Sequence, residues 1–252
     1  MKTEILYGIH PVIEALKAKR RTFVSIYLSQ RKPSKWLDTL LELADSLKLP
    51  VLQSSSTQLR SMTHTDSHQG VAARVSPYPW VNFSDILGMN RSNPDTGALQ
   101  RFFLLLDHVV DPHNLGALVR TAHCVGVDGI LLPKDRSAPP TAVVSKVSAG
   151  ALEHVRMAHI TNMVSTIKIL KQQGLWIIGL DRGDGESIFA FEFPSAVAIL
   201  IGGEHKGIRT LVKKHCDGLC SIPQTGNIDS LNASVAGAIA MYEVFRQHRA
   251  PT

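Results

Sequence analysis

Three polar clusters, each following an apolar run, carry the side chains able to do chemistry. The first, "LDHVVDPHNLGALVRTA" (106–122), holds Asn114 and Arg120. The second, "ILIGGEHKGI" (199–208), joins paired glycines to Glu204. The third, "SIPQTGNIDSLNASVAGAIAMYE" (221–243), crowds Asp229, Ser230, Asn232 and Ser234 ahead of a small-residue apolar run. Each has an ordinary structural reading. Arg120 suits a snorkelling arginine, "GGEHKG" a strand-to-helix turn, and any one of the four polar residues a helix cap. A cap needs only one of those four. The surplus, with glycines that let a ligand approach bare backbone and a carboxylate beside them, points to a bound molecule. Three such turns in one sheet favour a site over three coincidences.

The elements that must position these clusters follow from the apolar runs. "FFLLL" (102–106), "GILLP" (129–133), "LWIIGL" (175–180) and "AVAILIGG" (196–203) read as strands buried on both faces, as in a parallel sheet covered by helices. The segments between them, such as "NLGALVRTAHCVG" and "NMVSTIKILKQQG", have helical spacing. Asp111 or Asn114 is placed to cap the first helix, with Pro112 in its first turn, and Arg120, nearly two turns beyond Asn114, is read near the same face. The stretch from Asp229 is read as the opening turn of the last helix, with Ser230 and Ser234 on one face. The alternation implies an open α/β sheet whose ligands sit at the carboxyl ends of strands, where the three clusters fall. "GGEHKG" does not match the G-x-G-x-x-G spacing and no Walker A sequence occurs, so an ordinary nucleotide fold is poorly supported.

Residues 1–76 read differently. "HPVIEALKAK" is helical with Val12, Ala15 and Leu16 on one face; "TFVSIYLS" (22–29) is a strand; "SKWLDTLLELADSLK" (34–48) is an amphipathic helix opened by Ser34. Short strands follow near Val51 and at "GVAARV" (70–75), giving a small α/β domain. This third of the chain holds eleven Lys and Arg against six Asp and Glu, and the rest sixteen against fifteen. The excess, concentrated in "KAKRR" and "RKPSK", suits a polyanion such as nucleic acid and equally a solvated basic face, which charge alone does not separate. Residues 77–100, rich in Pro, Asn and Gly, read as a linker with a short docked segment at Trp80 to Leu87, and 101–252 as the second domain. No apolar run reaches the roughly 20 residues that cross a bilayer, and "MKTEILYGIHPVIEALKAKRR" lacks a signal-peptide core, so a cytoplasmic protein without membrane partners is expected. Three cysteines make no disulfide framework, and "HCDGLC" lacks zinc-site spacing, so no metal is expected.

"DPHNLGALVRTA", "LIGGEHKGI" and "SIPQTGNIDSLNASVAGAIAMYE", in this order and spacing, resemble the three signature motifs of the SpoU (TrmH-type) RNA ribose methyltransferases of the SPOUT superfamily. "YGIHPVIEAL" and "HQGVAARV" resemble the ribosomal-protein-like substrate-binding domain joined to many of them, so the likeness covers nearly the whole chain. The resemblance implies a C-terminal trefoil knot, S-adenosyl-L-methionine as cofactor and a homodimer. By motif position it implies that Gly202, Ile222 and Leu231 line the cofactor and that Arg120, Asn114, Glu204, Ser230 and Asn232 form the catalytic set. "PKDRSA" (133–138) and the domain pairing are most similar to the branch that methylates a guanosine 2′-hydroxyl of 23S rRNA, with no role for DNA. A tRNA methyltransferase of the same fold, or a non-catalytic RNA-binding ribosome-assembly factor, are the alternatives.

Overall fold

The computed structural model describes residues 2–29, 34–88, 101–183, 185–204, 206–226 and 230–249. The chain forms two compact units, Met1–Pro79 with Pro139–His154, and Trp80–Ala138 with Val155–Thr252. Of the 77–100 linker, residues 89–100 lie outside the described residues, as does Asp229.

The first unit opens with β1 (Glu4–Tyr7), α1 (Ile9–Ala18), β2 (Phe23–Leu28), α2 (Lys35–Ser46), β3 (Val51–Gln53), α3 (Ser56–Thr63) and β4 (Val71–Val75). Its strands run in the order β1-β4-β2-β3, with β2 and β3 parallel and the other pairings antiparallel. The helical spacing read for α1 holds: Val12, Ala15 and Leu16 are buried, joined by Ile9 and Ile13. Ser34 caps α2, its hydroxyl accepting a hydrogen bond from the Leu37 N–H. The helix α3 does not figure in the sequence reading. It is opened by a reciprocal capping box, Ser55 with Gln58, whose S-x-x-Q spacing was visible.

The second unit continues with α4 (Phe83–Leu87), β5 (Arg101–Asp107), α5 (Pro112–Val125) and β6 (Gly129–Pro133). The docked segment expected near Trp80 to Leu87 is present. Val81 N–H donates to the Met157 carbonyl, and Ile86 is fully buried over Gly129, where a Cβ would lie 2.5 Å from Ile86. The chain then contributes α6 (Ala142–Val147) and a 3₁₀ turn (Ala151–Glu153) to the first unit. The second unit resumes with β7 (Met157–Ile160), α7 (Met163–Gln172), β8 (Trp176–Leu180), β9 (Glu186–Ser187), β10 (Ala196–Gly202), α8 (Thr210–Lys213), β11 (Gly218–Ser221) and α9 (Ala233–Arg249). Its seven strands lie in the order β7-β6-β5-β10-β8-β11-β9, every pairing parallel. The four apolar runs are β5, β6, β8 and β10, and every residue of β5 and β6 is buried. These strands have no polar face because helices cover both sides.

One reading of the last helix needs correction. α9 begins at Ala233, so Ser230 and Asn232 lie ahead of it and Ser230 shares no helix face with Ser234. The Asn232 Oδ1 accepts from the Ser234 N–H at 2.9 Å, which ends the irregular segment with an Asx cap. Among the described residues capping therefore employs Asn232, and Ser230 and Leu231 stay on non-helical backbone.

The segment 139–154 is tied to the rest of the first unit by a buried charge network. Arg21, whose side chain is inaccessible, donates from Nε to Glu153 Oε2 at 2.5 Å and from Nη2 to Glu153 Oε1 at 3.1 Å. The Ser145 hydroxyl donates to the same carboxylate at 2.7 Å, and Glu4 pairs with Arg21 from the other side. Gly150 sits so close to α1 that a Cβ there would lie 2.7 Å from the Glu14 Cβ.

The three thiols, all in the second unit, differ in burial. Desolvation pushes Cys220, within β11, up to about 12 and Cys216 up to about 11, whereas Cys124 is exposed. At neutral pH a thiol-specific chromogenic reagent is expected to react quickly with one cysteine per native chain. Cys124→Ser should remove that fast phase, and a persistent fast phase in that variant would contradict the shielding of the half-buried Cys216 and the buried Cys220.

Candidate active site

A cavity of about 310 Å³ opens where β8, β10 and β11 end and the chain enters α9. Leu180, Ile201, Ile222, Leu231, Ala233 and Ala236 give it an apolar lining, while Asp181, Glu204, Gln224, Ser230 and Asn232 bring polar groups to the same space. Bare backbone comes from the loop after β10. There Gly207 N–H donates to the Gly203 carbonyl at 3.0 Å, folding the loop back on itself. The fold-back requires glycine at 202: a Cβ would lie 2.0 Å from the Gly207 carbonyl carbon and 2.2 Å from the Ile208 nitrogen. Gly202→Ala is therefore expected to displace the loop and lower cofactor affinity by more than about tenfold, with calorimetry as the readout and the far-UV spectrum as the folding control.

Six of the eight site residues read from the sequence line this cavity: Gly202, Ile222, Leu231, Glu204, Ser230 and Asn232. Asn114 joins them indirectly. Asp111 caps α5, its carboxylate accepting from the His113 N–H at 2.9 Å, and Pro112 fills the first helical position. Relieved of capping, the buried Asn114 donates from Nδ2 to Glu204 Oε1 at 2.8 Å and fixes that carboxylate.

Arg120 stands apart. It is exposed, does not line the cavity, and has no hydrogen bond or ion pair among the described residues. The expectation that it lies near the Asn114 face fails for a geometric reason. Six residues at about 100° each leave the two side chains about 120° apart, so one is buried and the other faces outward. α5 packs against α9, where a Cβ at Gly237 would lie 2.4 Å from Leu118 and 2.6 Å from Ile201. Small residues on α9 thus permit the close approach that holds the cavity's floor.

Outside the three clusters, sequence reasoning missed two polar lining residues, Asp181 and Arg182, just beyond the end of β8. Arg182 donates from Nη2 to the Glu204 carbonyl at 3.1 Å, and Asp181 pairs with Lys213. The same strand-end rule that singled out the other three clusters, applied to "WIIGLDRGDG", would have found them.

Comparison with known proteins places this geometry. The family model described as "SpoU rRNA Methylase family" matches residues 101–242, and that for "RNA 2'-O ribose methyltransferase substrate binding" matches residues 5–81. The chain belongs to the SpoU rRNA methylase family. It is similar to the 23S rRNA (guanosine-2'-O-)-methyltransferase RlmB of Vibrio cholerae, 37% identical over 251 residues and covering 99% of each chain. An uncharacterized tRNA/rRNA methyltransferase of Synechocystis is 36% identical over 97% of this chain, which spans 62% of that relative's length. Among solved structures, the SpoU methyltransferase AviRb from Streptomyces viridochromogenes, in complex with the cofactor AdoMet, superposes with a TM-score of 0.78 at 21% identity. That match covers 96% of this chain and 89% of AviRb, and at this identity it speaks to the fold. The strand-end cavity is thus set in a SpoU-type sheet. Among the described residues of this family member, no helix is long and apolar enough to cross a membrane.

Proposed function

We propose that the protein transfers the methyl group of S-adenosyl-L-methionine to the ribose 2′-hydroxyl of a guanosine in 23S rRNA. The observation that carries this reading is the convergence of the family's polar set, Asn114, Glu204, Ser230 and Asn232, on one glycine-lined cavity, in a chain similar throughout its length to RlmB proteins. The residues present suit the cofactor: apolar side chains and bare glycine backbone for a purine, and side chains of both signs, Asp181 and Glu204 with Arg182 and Lys206, for an amino acid end that carries both charges. When bound, S-adenosyl-L-methionine supplies a methyl group on a positively charged sulfonium.

Gly202, Ile222 and Leu231 hold the cofactor, and Ser230 and Asn232 orient the ribose. Asn114 keeps Glu204 in place. Enclosure by the apolar residues reduces competition from water while charge is neutralised in the transfer. Alignment of hydroxyl and methyl supplies much of the rate, and the proton that the hydroxyl gives up passes to the lining Glu204 carboxylate. The role of Arg120 is to fix the target phosphate and hydroxyl with its planar, bidentate guanidinium fork. Since Arg120 points away from its own cavity, we take the working species to be a homodimer in which a second copy supplies it. The exposed Val235 and Tyr242, seven residues apart on α9, give that interface an apolar stripe. The return of α9 onto α5 after β11 supports a trefoil knot at this end of the chain. RNA selection falls to residues 1–76 and their basic excess, in the cytoplasm where ribosomes are assembled, and DNA, lacking the 2′-hydroxyl, is no substrate.

The test is transfer of labelled methyl from S-adenosyl-L-methionine to separate 23S rRNA and tRNA pools, followed by mapping of the modified ribose. Label on one 23S guanosine 2′-oxygen is the expected result. Label on tRNA alone would keep the chemistry and overturn the target, a reading favoured by the Synechocystis relative's tRNA/rRNA description. RNA binding with neither label nor cofactor binding would leave a non-catalytic assembly factor.

A further inference from the structure

A second cavity, of about 550 Å³, opens at the carboxyl ends of β5, β6 and β7. Its lining combines two kinds of surface. Met163, Val164, Leu211 and Val212 form an apolar floor, and Leu211 is 63% exposed. His108, Lys134, Arg136 and Arg209 bring nitrogen donors, against the one lining carboxylate of Asp135.

Two features show that this wall is held in shape. Asp107, fully buried at the end of β5, accepts from Arg209 Nε at 3.0 and 3.1 Å and from Nη2 at 2.8 Å, and lies 3.0 Å from His108 Nδ1. Arg209 is thereby fixed in place while half its side chain stays open. His108 and Arg136 both hold left-handed backbone, with φ of 67° and 56°, although neither is glycine. Such strain persists where surrounding structure imposes it, and it concentrates at ligand sites. Here both strained residues line the same cavity.

The two cavities adjoin. Gly203 lines the first and His108 the second, and a Cβ on Gly203 would lie 2.4 Å from the His108 carbonyl oxygen. They therefore flank one junction between the ends of β5 and β10. We propose that the second cavity is the subsite for an RNA nucleotide next to the one methylated, with its base on the Met163–Leu211 floor and its phosphate on Lys134 and Arg136. An apolar floor beside one fixed cation, Arg209, and two exposed ones, Lys134 and Arg136, matches the two halves of a nucleotide, and a single-stranded segment offers splayed bases to such a surface. This inference builds on the methyltransferase reading above and extends it to substrate selection.

Arg136→Gly is the decisive variant because it separates structure from recognition. Glycine relieves the left-handed strain, so folding stability should hold or rise while the cation is lost. With the full-length protein and transcribed 23S rRNA, the KM for RNA is expected to rise about tenfold, and the salt slope of RNA binding to flatten by about 0.7, one phosphate contact on a single strand. Calorimetric affinity for S-adenosyl-L-methionine should not change. Leu211→Ala should weaken RNA binding without altering the salt slope, the signature of a lost apolar contact. Unchanged RNA KM and salt slope in Arg136→Gly, alongside wild-type methylation of the same transcript, would overturn the subsite and leave the function standing. Absence of cofactor binding and methyl transfer in the wild type would instead overturn the function, and the subsite with it.

Discussion

Arg120→Ala is expected to lower the rate of methyl transfer by about 10²- to 10³-fold, the usual cost of removing one preorganised donor aimed at developing charge. The affinity for S-adenosyl-L-methionine should survive, because Arg120 does not line the cavity that Gly202, Ile222 and Leu231 build. Stability should barely change: the side chain is exposed and makes no bond among the described residues. Arg120→Lys keeps the charge but loses the planar fork, so partial recovery would identify charge and full failure would identify bidentate geometry as the requirement. Subunit mixing gives the sharper result. If a second copy supplies Arg120, inactive Arg120→Ala and inactive Asn232→Ala chains, refolded together, form mixed dimers with one intact site. Activity that fails to reappear on mixing, with dimers confirmed by sedimentation, would place Arg120 in its own subunit's reaction.

What the sequence disclosed follows the range of the forces involved. Apolar runs such as "FFLLL" and "AVAILIGG" report burial on both faces directly, so β5, β6, β8 and β10 were legible, and so was the clustering of chemistry at their carboxyl ends. Capping is also local, and Ser34 was placed correctly. The start of α9 was read too early because Ser230, Asn232 and Ser234 all have capping chemistry, and only backbone geometry shows that Asn232 performs it. Short strands such as β1 and β7, four residues each, give too few alternations to register a period. The role of Asn114 was invisible for another reason. Its partner Glu204 lies 90 positions away, and no local pattern distinguishes it from a cap. Long-range pairing likewise hid the attachment of residues 139–154 to the first unit, since nothing in "TAVVSKVSAGALEH" names Arg21 as a partner.

That attachment carries the largest expected effect on stability. Glu153→Ala leaves the Arg21 guanidinium buried with only Glu4 opposite it, and breaking a buried pair in this way costs about 3–5 kcal/mol. Burial by itself would lower the Arg21 pKa, but Glu153 and then Glu4 outweigh it and hold the value above the ordinary one. Glu153→Ala removes the larger of those two compensations and leaves burial opposed by the Glu4 carboxylate. For a chain of this size the midpoint of thermal unfolding should fall by on the order of 10 °C. Simple loss of volume predicts something different: Glu153→Gln, nearly the same shape, would then be harmless, whereas loss of charge compensation makes it destabilising as well. Replacing both partners, Arg21→Met with Glu153→Leu, should recover most of the stability, because apolar side chains at both positions have no desolvation penalty to offset. A Glu153→Ala protein that melts with the wild type would show that the pair contributes nothing. Ser145, Gly150 and Glu14 would then have to hold 139–154 on the first unit without it.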